Sequence, residues 1–291
     1  MPRHLVSRLI SLIALAVLAA GSTTIEASAQ SKIVSVGGDV TEILYGIGAD
    51  DQVVATDTTS VYPTAAALTP KVGYVRRLSA EGVLSLEPDL ILISGAAGPE
   101  AALEQIVASG VDIVQMETEY TINAIFKKID RVGAAVGKDK EADDLAASVR
   151  SDWIAASTTL KNLNLSPRVL FFATFADSSP RAAGRDTAAH GVIEILGGTN
   201  VFESQTGYKA LSLEAAVAAD PDIILVMNQN VDRAGSLEAL VAHPAISLTS
   251  AVQSGQVYVV DAVQIMQFGP RTPEAIAKLA TEIQNGLATD G

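Results

Sequence analysis

One segment of the chain occurs twice, and this repeat constrains the fold more than any other sequence feature. The first copy spans residues 78–93 and the second spans residues 211–226, which begins 133 residues further on. Without a gap, the copies share leucine, serine, glutamate, proline, aspartate, isoleucine and leucine, and a Gly-Tyr pair precedes each copy. Solenoid repeats are only about 20 to 50 residues long, so this spacing predicts two similar lobes. Two lobes imply a cleft between them.

The first 29 residues have the composition of a secretory signal peptide. Arg3 and Arg8 precede an apolar run over residues 9–20, and Ala27-Ser28-Ala29 is a small-residue cleavage site. The run is shorter than the roughly 18 to 20 residues that span a bilayer, which disfavours a retained membrane anchor. We expect the mature chain to begin near Gln30.

Composition excludes several classes of site. The chain has no cysteine, which rules out disulfides, thiolate metal sites and thiol nucleophiles. Its formal net charge of −13 predicts that it does not adhere to nucleic acid or anionic lipid through its overall field. Any anionic ligand must therefore be held by local charges.

Short apolar runs alternate with amphipathic stretches along the rest of the chain, which is typical of α/β units around largely parallel sheets. The stretch 122–163 is different, because it lacks proline and predicts one or two long helices, broken near residues 133–137. The predicted strands are residues 33–36, 52–55, 90–93, 111–114, 169–172, 223–226 and 257–260.

We therefore expect an α/β protein with two lobes around central, mostly parallel sheets, joined by a long interdomain helix, with a ligand cleft between the lobes. Because a helix is a semi-rigid spacer, this link predicts only small opening motions. The expected divisions are a signal peptide (1–29), an N-terminal α/β lobe (30–137), a linking helix (138–164) and a C-terminal α/β lobe (165–291).

Three segments resemble one family. Residues 72–89, which contain Gly73-Tyr74-Val75-Arg76, are similar to the haem-binding members of the helical-backbone (class III) periplasmic substrate-binding proteins, which deliver haem to an ABC importer. Residues 182–189 and 268–273 resemble the same family, so the likeness covers nearly the whole mature chain. The wider superfamily also carries cobalamin and iron-siderophores, and the Gly-Tyr-x-Arg element narrows the resemblance to haem.

The resemblance implies that Tyr74 is the axial ligand of ferric haem iron and that Arg76 hydrogen-bonds near it. A phenol ordinarily has a pKa of about 10. A phenolate ligand at neutral pH is therefore stabilised by the ferric charge and by a neighbouring cation. Arg76, two residues on in an extended loop, is predicted to project on the same side as Tyr74. The alternative for Tyr74 is an amphipathic loop residue that packs its ring and exposes its hydroxyl.

The second lobe is expected to supply the opposite wall of the cleft. Tyr208, the counterpart of Tyr74 in the repeat, is a candidate to stack on the porphyrin or bind a propionate; packing within its lobe is the alternative. Arg185 is a candidate propionate partner because guanidinium binds carboxylates in a bidentate manner, and a surface ion pair is its alternative. His190 and His243 are expected to be packed or surface residues.

Glu81 and Glu214 occupy the same position in the two copies. In the superfamily, glutamates at these positions face arginine pockets on the two permease subunits, so the resemblance implies docking to an ABC permease dimer. Each also follows a serine that can cap a helix, and a first-turn acid that complements the helix dipole is the alternative.

Paired acids can also indicate acid/base catalysis, and Asp89 and Asp222 form such a pair in the repeat. Each follows a proline and precedes a predicted strand, so a turn-forming role is favoured. The sequence has no common hydrolase or nucleotide-binding motif. The leading hypothesis is a monomeric, non-enzymatic periplasmic protein that binds haem; the alternatives are the same fold carrying cobalamin or an iron-siderophore, and a secreted enzyme.

Overall fold

The computed structural model describes residues 31–163, 166–174 and 180–289 of the 291-residue chain. The predicted signal peptide, residues 1–29, lies outside the described residues. Within those ranges, no helix combines the length and apolar character needed to cross a bilayer.

The N-terminal lobe is built around a four-stranded parallel sheet. Its elements are β1 (Ile33–Val36), α1 (Gly38–Gly46), a 3-10 helix (Asp50–Gln52), β2 (Val53–Thr56), α2 (Thr64–Ala67), β3 (Gly73–Tyr74), β4 (Arg77–Leu78), α3 (Ala80–Leu84), β5 (Leu90–Ile93), α4 (Glu100–Ala108) and β6 (Asp112–Gln115). The strand order is β2-β1-β5-β6, and all three pairings are parallel. The two central strands consist mainly of buried valine, isoleucine and leucine, as expected for a sheet covered on both faces.

Two helices follow the last strand of this sheet, as the sequence predicts, and the first of them belongs to the N-terminal lobe. They are α5 (Ile122–Ala135) and α6 (Asp139–Leu163). The Thr121 side chain caps α5 by accepting a hydrogen bond from the Ala124 N–H (3.2 Å), and Gly137, at φ +66°, lies in the break before α6. With 25 residues at 1.5 Å per residue, α6 is about 38 Å long.

The C-terminal lobe has a mixed sheet. Its elements are β7 (Arg168–Thr174), β8 (Arg181–Ala183), α7 (Ala188–Ile195), β9 (Thr199–Asn200), β10 (Tyr208–Ala210), α8 (Leu213–Ala219), β11 (Ile223–Met227), α9 (Asn228–Ala234), α10 (Leu237–Val241), α11 (Ser250–Gln253), β12 (Val257–Val260), α12 (Ala262–Met266) and α13 (Thr272–Thr289). The order is β10-β8-β7-β11-β12, with β9 beside β7. β11 pairs parallel with both β7 and β12. β8 pairs antiparallel with both β7 and β10. The three-residue strands β8 and β10 were not predicted, because such short segments show too little alternation.

The hydrophobic core connects the lobes. α6 packs against both α5 and α13, so the last helix of the chain returns to the linking helix. A single buried cluster contains Ile43 of α1, Ile129 of α5, Val192 of α7 and Ile276 of α13. The outer faces of the two sheets are covered by separate clusters. The fold is therefore the predicted two-lobed α/β architecture, with a long helix between the lobes and a core shared between them.

Candidate functional site

A cavity of about 420 Å³ lies between the lobes. Its walls come from residues that follow the carboxyl ends of strands in both sheets: β1, β2, β5 and β6 from the first lobe, and β11 and β12 from the second. Open α/β sheets usually bind ligands at this edge, because the connecting loops are free to vary there. The cleft predicted from the repeat is therefore present.

Tyr74 enters the cavity from a small hairpin. β3 and β4 pair antiparallel, with Tyr74 opposite Arg77, and Gly73 precedes the tyrosine with φ of +107°, which favours glycine. The Gly73 carbonyl accepts a hydrogen bond from the Thr58 N–H (2.8 Å), which ties the hairpin to the loop after β2. The Tyr74 side chain lines the cavity and is 42% exposed, unusually high for a large aromatic residue. Its hydroxyl is accessible to a ligand.

Arg76 also lines the cavity, although not for the predicted reason. The sequence predicts an extended loop, but Val75 and Arg76 form the two-residue turn of the hairpin. The Arg76 side chain nevertheless lines the same cavity as Tyr74. Within the described part of the chain, the Arg76 guanidinium makes no hydrogen bond or ion pair. It is therefore a free positive charge at the cavity wall.

Lys128 of α5, the other lining cation, is neutralised by protein groups. Its ammonium donates to the Asp39 carboxylate at 2.7 Å and to the Phe268 carbonyl at 2.6 Å. Asp39 and Lys128 are 5% and 6% exposed, and the Ser94 hydroxyl lies 3.3 Å from the same Asp39 oxygen. Of the two cations lining the cavity in the described residues, only Arg76 is free to meet an anionic ligand.

Two further tyrosines lie near Arg76. Tyr120, which follows β6, lines the cavity and packs its ring against Phe268, with ring centroids 5.4 Å apart. Burial raises the pKa of Tyr120, and the Arg76 charge opposes that rise. Burial likewise raises the pKa of Tyr208 on β10, with Arg76 opposing and Tyr120 and Tyr74 adding to the rise. The Arg76 charge therefore acts on both Tyr120 and Tyr208.

Tyr208 and Arg185 are not among the residues that line the cavity. Tyr208 is half-buried on β10, paired with Ala183 of β8. Arg185 is exposed, and its backbone N–H donates to the Gln205 carbonyl at 2.8 Å. Arg185 lies two residues before Thr187, the N-cap of α7. His190 and His243 are likewise absent from the described lining.

Glu81 and Glu214 lie at equivalent points of two equivalent helices. Each is in the first turn, and each helix is capped by a serine: Ser79 accepts from the Gly82 N–H (3.3 Å) and Ser212 from the Ala215 N–H (3.1 Å). Both carboxylates are exposed. Hydrogen bonds from its own backbone N–H and from Ser212 hold the pKa of Glu214 below its ordinary value. Both acids are therefore available to a partner.

Asp89 and Asp222 have a structural role, but their side chains bind the backbone before or at the start of a neighbouring strand, where the sequence favours a local turn. Asp89 accepts a hydrogen bond from the Lys32 N–H just before β1 (2.8 Å), and Asp222 accepts one from the Arg168 N–H at the start of β7 (2.7 Å). Each aspartate thus fixes the first strand of its own lobe beside the strand that ends the repeat.

Sequence reasoning missed Tyr120, Lys128, Asp39 and Phe268 as cavity residues. Tyr120 could have been found, because it closely follows a predicted strand of a parallel sheet, where ligand-binding loops lie. The Asp39–Lys128 pair could not have been found, because 89 residues separate its members and neither stands in a motif.

The chain belongs to the periplasmic binding protein family, whose model matches residues 33–263. Members of this family are substrate-binding components of transport systems, and the fold described above is theirs. Among curated relatives, the chain is 29% identical over 255 residues to an uncharacterized ABC transporter substrate-binding lipoprotein of Bacillus subtilis, YvrC, covering 87% of this chain and 79% of that protein.

Two further comparisons name different ligands. The vitamin B12-binding protein of Yersinia pestis is 26% identical to this chain over 214 residues, which cover 73% of this chain and 75% of that protein. The solved structure of the periplasmic heme-binding protein BhuT, in complex with two hemes, superposes with a TM-score of 0.83 at 33% identity, covering 88% of this chain and 99% of that one. The family is thus established, and the ligand has to be argued from the cavity.

Proposed function

We propose that this protein binds haem in the cavity between its lobes and delivers it to an ABC transporter of the inner membrane. One observation carries the proposal: Tyr74 and Arg76 lie in one hairpin and line the same interlobe cavity, and among the described residues Arg76 has no ion-pair partner. Tyrosinate is an established axial ligand of haem iron. A neighbouring guanidinium favours the anionic form of a phenol that must ligate ferric iron.

The remaining walls fit a flat apolar ring. The half-buried Met266 lines the cavity from the second lobe, with the buried Phe268 beside it, and Val61, which is 45% exposed, lines it from the first. Apolar side chains left exposed in a cleft mark a ligand surface, because burying them against a ligand removes apolar area from water. We propose that Tyr208 and Arg185 meet the edge of the porphyrin and its carboxylates from the second lobe.

Cobalamin is the second candidate cargo, because a vitamin B12-binding protein is among the relatives. A corrinoid carries its cobalt already coordinated, so it gives a tyrosine ligand no open site to occupy. The Tyr74 hydroxyl, which has no hydrogen-bond partner among the described residues, therefore favours haem over cobalamin.

We further propose that Glu81 and Glu214 bind the two permease subunits. The two exposed carboxylates are presented by matching capped helices, one in each lobe. Such a pair suits a partner that is itself a dimer with one basic pocket per subunit. The family and its transport role support an extracytoplasmic location, reached through a cleaved signal peptide spanning residues 1–29. We expect the mature protein to act as a monomer, with lobes at 30–137 and 165–291 joined through 138–164.

Titration of the purified protein with ferric haem and, separately, with cyanocobalamin tests the proposal. We expect a Soret band with a high-spin tyrosinate spectrum for haem, and the loss of that spectrum in Tyr74→Phe. Tyr62→Phe is the matched control, because Tyr62 has similar exposure (45%) but is absent from the cavity lining. Tight cyanocobalamin binding without a haem spectrum would replace haem by the second candidate. An unchanged haem spectrum in Tyr74→Phe would remove the ligand assignment.

A further inference from the structure

Buried polar contacts join the lobes on one side of the cavity. They lie between α1 and α5 of the first lobe and residues 267–271, which connect α12 to α13 in the second. We call this set the interlobe clamp, and it consists of the side chains of Asp39, Glu42, Lys128, Gln267 and Arg271.

The first contact of the interlobe clamp runs through Lys128. Its ammonium binds Asp39 of its own lobe at 2.7 Å and the Phe268 carbonyl of the other lobe at 2.6 Å, with the Gln267 carbonyl at 3.4 Å. Both charged side chains are 7% exposed. Separating the lobes here would leave the Phe268 carbonyl and one face of the ammonium without partners, which is unfavourable for buried polar groups.

The second contact is made by Arg271 at the start of α13. Its Nε donates to a Glu42 carboxylate oxygen at 3.0 Å, and its backbone N–H donates to the other oxygen at 3.1 Å. The guanidinium lies 3.5 Å from the centre of the Tyr62 ring, which belongs to the first lobe. One arginine of the second lobe is therefore held by two residues of the first.

The third contact is made by Gln267, whose side-chain amide donates to the Thr59 carbonyl at 3.1 Å. Here the two lobes approach so closely that a Cβ on Gly38 would lie 2.2 Å from the Gln267 Oε1. A similar approach joins α7 to the first lobe, because a Cβ on Gly191 would lie 2.4 Å from the Tyr120 carbonyl oxygen. Small residues thus permit the lobes to pack tightly on this side.

The clamped segment is also a wall of the cavity. Gln267 and Phe268 line it, and Asp39, Lys128 and Thr59 line it from the first lobe. The distance between the second-lobe wall and the wall that bears Tyr74 is therefore set where the interlobe clamp fixes residues 267–271.

We infer that Lys128 and Arg271 are positioning residues that set the width of the binding cavity by holding residues 267–271 against the first lobe. They do so before ligand arrives, so the ligand-free protein keeps a preformed cleft. The inference rests on the proposed use of this cavity for ligand binding, and it does not depend on which ligand is carried.

Distance measurement by double electron–electron resonance in the ligand-free protein tests the inference. Because the chain has no cysteine, Glu104→Cys and Asp232→Cys place one spin label on each lobe without competing sites. Both positions are exposed. We expect a single narrow distance distribution in this parent protein, and a broader distribution with a longer mean distance after Lys128→Met or Arg271→Met.

Two further variants keep the test decisive. Lys127→Met is the matched control, because the neighbouring lysine makes only a surface ion pair with Glu119 and is 61% exposed; its distribution should equal that of the parent. The double variant Asp39→Leu, Lys128→Met covers the case in which Lys128→Met does not fold, since removing both charges leaves no lone buried charge. It still lacks the bond to the Phe268 carbonyl, so its distribution should broaden.

The result that would overturn the inference is a folded Arg271→Met or double variant whose distance distribution matches the Lys127→Met control. Haem dissociation rates, measured on the same proteins, give the second readout and should rise only where the distribution broadens. If the parent protein binds no haem but its distances respond to the substitutions, the cargo proposal fails and the positioning role stands.

Discussion

The two copies of the repeat share a backbone arrangement from the serine onward and differ in what precedes it. In both, a serine caps a short helix that carries an exposed glutamate. In both, a residue with positive φ precedes the proline: Glu87 at 49° and Asp220 at 41°. Before the serine, the first copy has a separate two-stranded hairpin, whereas the second has an edge strand of the main sheet.

This difference separates two tasks. A hairpin outside the main sheet can project Tyr74 and Arg76 into the cavity, because its strands need to pair only with each other. A strand within the sheet must keep the register of its neighbour, and Tyr208 is consequently half-buried beside Ala183. The capping serine and the glutamate that the two copies share are exposed on both lobes. The molecule is symmetric where we propose that it docks and asymmetric where we propose that it binds.

The largest expected effect tests the asymmetric part. Arg76→Ala should weaken haem binding by about 2 kcal/mol, the value of a hydrogen bond to a charged group, which is roughly thirtyfold in affinity. Lys209→Ala, which removes the exposed cation next to Tyr208 in the second copy, should leave affinity unchanged. Spectrophotometric haem titration measures both. Equal affinities in the two variants would show that the hairpin cation does not distinguish the first copy from the second.

The next effect tests the two glutamates that the copies share at matching positions. Glu81→Ala and Glu214→Ala should each lower haem delivery to the reconstituted transporter by a similar factor, on the order of fivefold, or about 1 kcal/mol of docking energy. Haem affinity should stay at the wild-type value in both. Glu104→Ala, an exposed acid outside the repeat, serves as the control. A fall in haem affinity parallel to delivery would move these acids from docking to ligand binding.

A smaller effect tests whether the repeat stabilises both lobes in the same way. Asp89→Ala and Asp222→Ala each remove one carboxylate that accepts a backbone N–H, at 2.8 Å and 2.7 Å respectively. Each should lower the free energy of unfolding by about 1 kcal/mol, the net worth of a typical hydrogen bond. Urea denaturation at neutral pH measures the change. Losses that differ several-fold would show that the two turns are not equivalent.

The smallest effect concerns the interlobe clamp, where the lobes are joined. Burial raises the pKa of Glu42 above its ordinary 4.5, and Arg271, which faces it, opposes the rise while Asp39 adds to it. The native state therefore holds this proton more tightly than the unfolded chain, so its contribution to stability is present below pH 4.5 and is lost as pH rises through the raised pKa. Glu42→Gln should remove that slope. Denaturant unfolding at a series of pH values compares the two proteins, and identical slopes would contradict the assignment.

Periodicity and turn chemistry predicted most of the secondary structure. The strands 33–36, 90–93 and 257–260 match the structure residue for residue, because each is a short apolar run. The break between α5 and α6 was predicted from glycines, and Gly137 has the expected positive φ. β8 and β10 were not predicted, since their pairing depends on a neighbour distant in sequence.

The candidate site was predicted only in part. Tyr74 was identified from its resemblance to a motif, and its exposure and its place on the cavity wall agree with that reading. The reason given for Arg76 was wrong, because a two-residue turn replaces the extended loop. Tyr120, Phe268 and the Asp39–Lys128 pair come from four separate elements or loops, so no local pattern could have brought them together.

By itself, the sequence determined that the protein has two related lobes, which residues form most of its strands and helices, and which tyrosine and glutamates stand at matching places. These properties are local, since they follow from side-chain periodicity, capping and turns within a few residues. The tertiary structure alone decided that, among the described residues, Arg76 is the cavity cation without an ion-pair partner and Lys128 is neutralised by Asp39. Pairing depends on which groups meet after folding, and here the partners are 89 and 140 residues away along the chain.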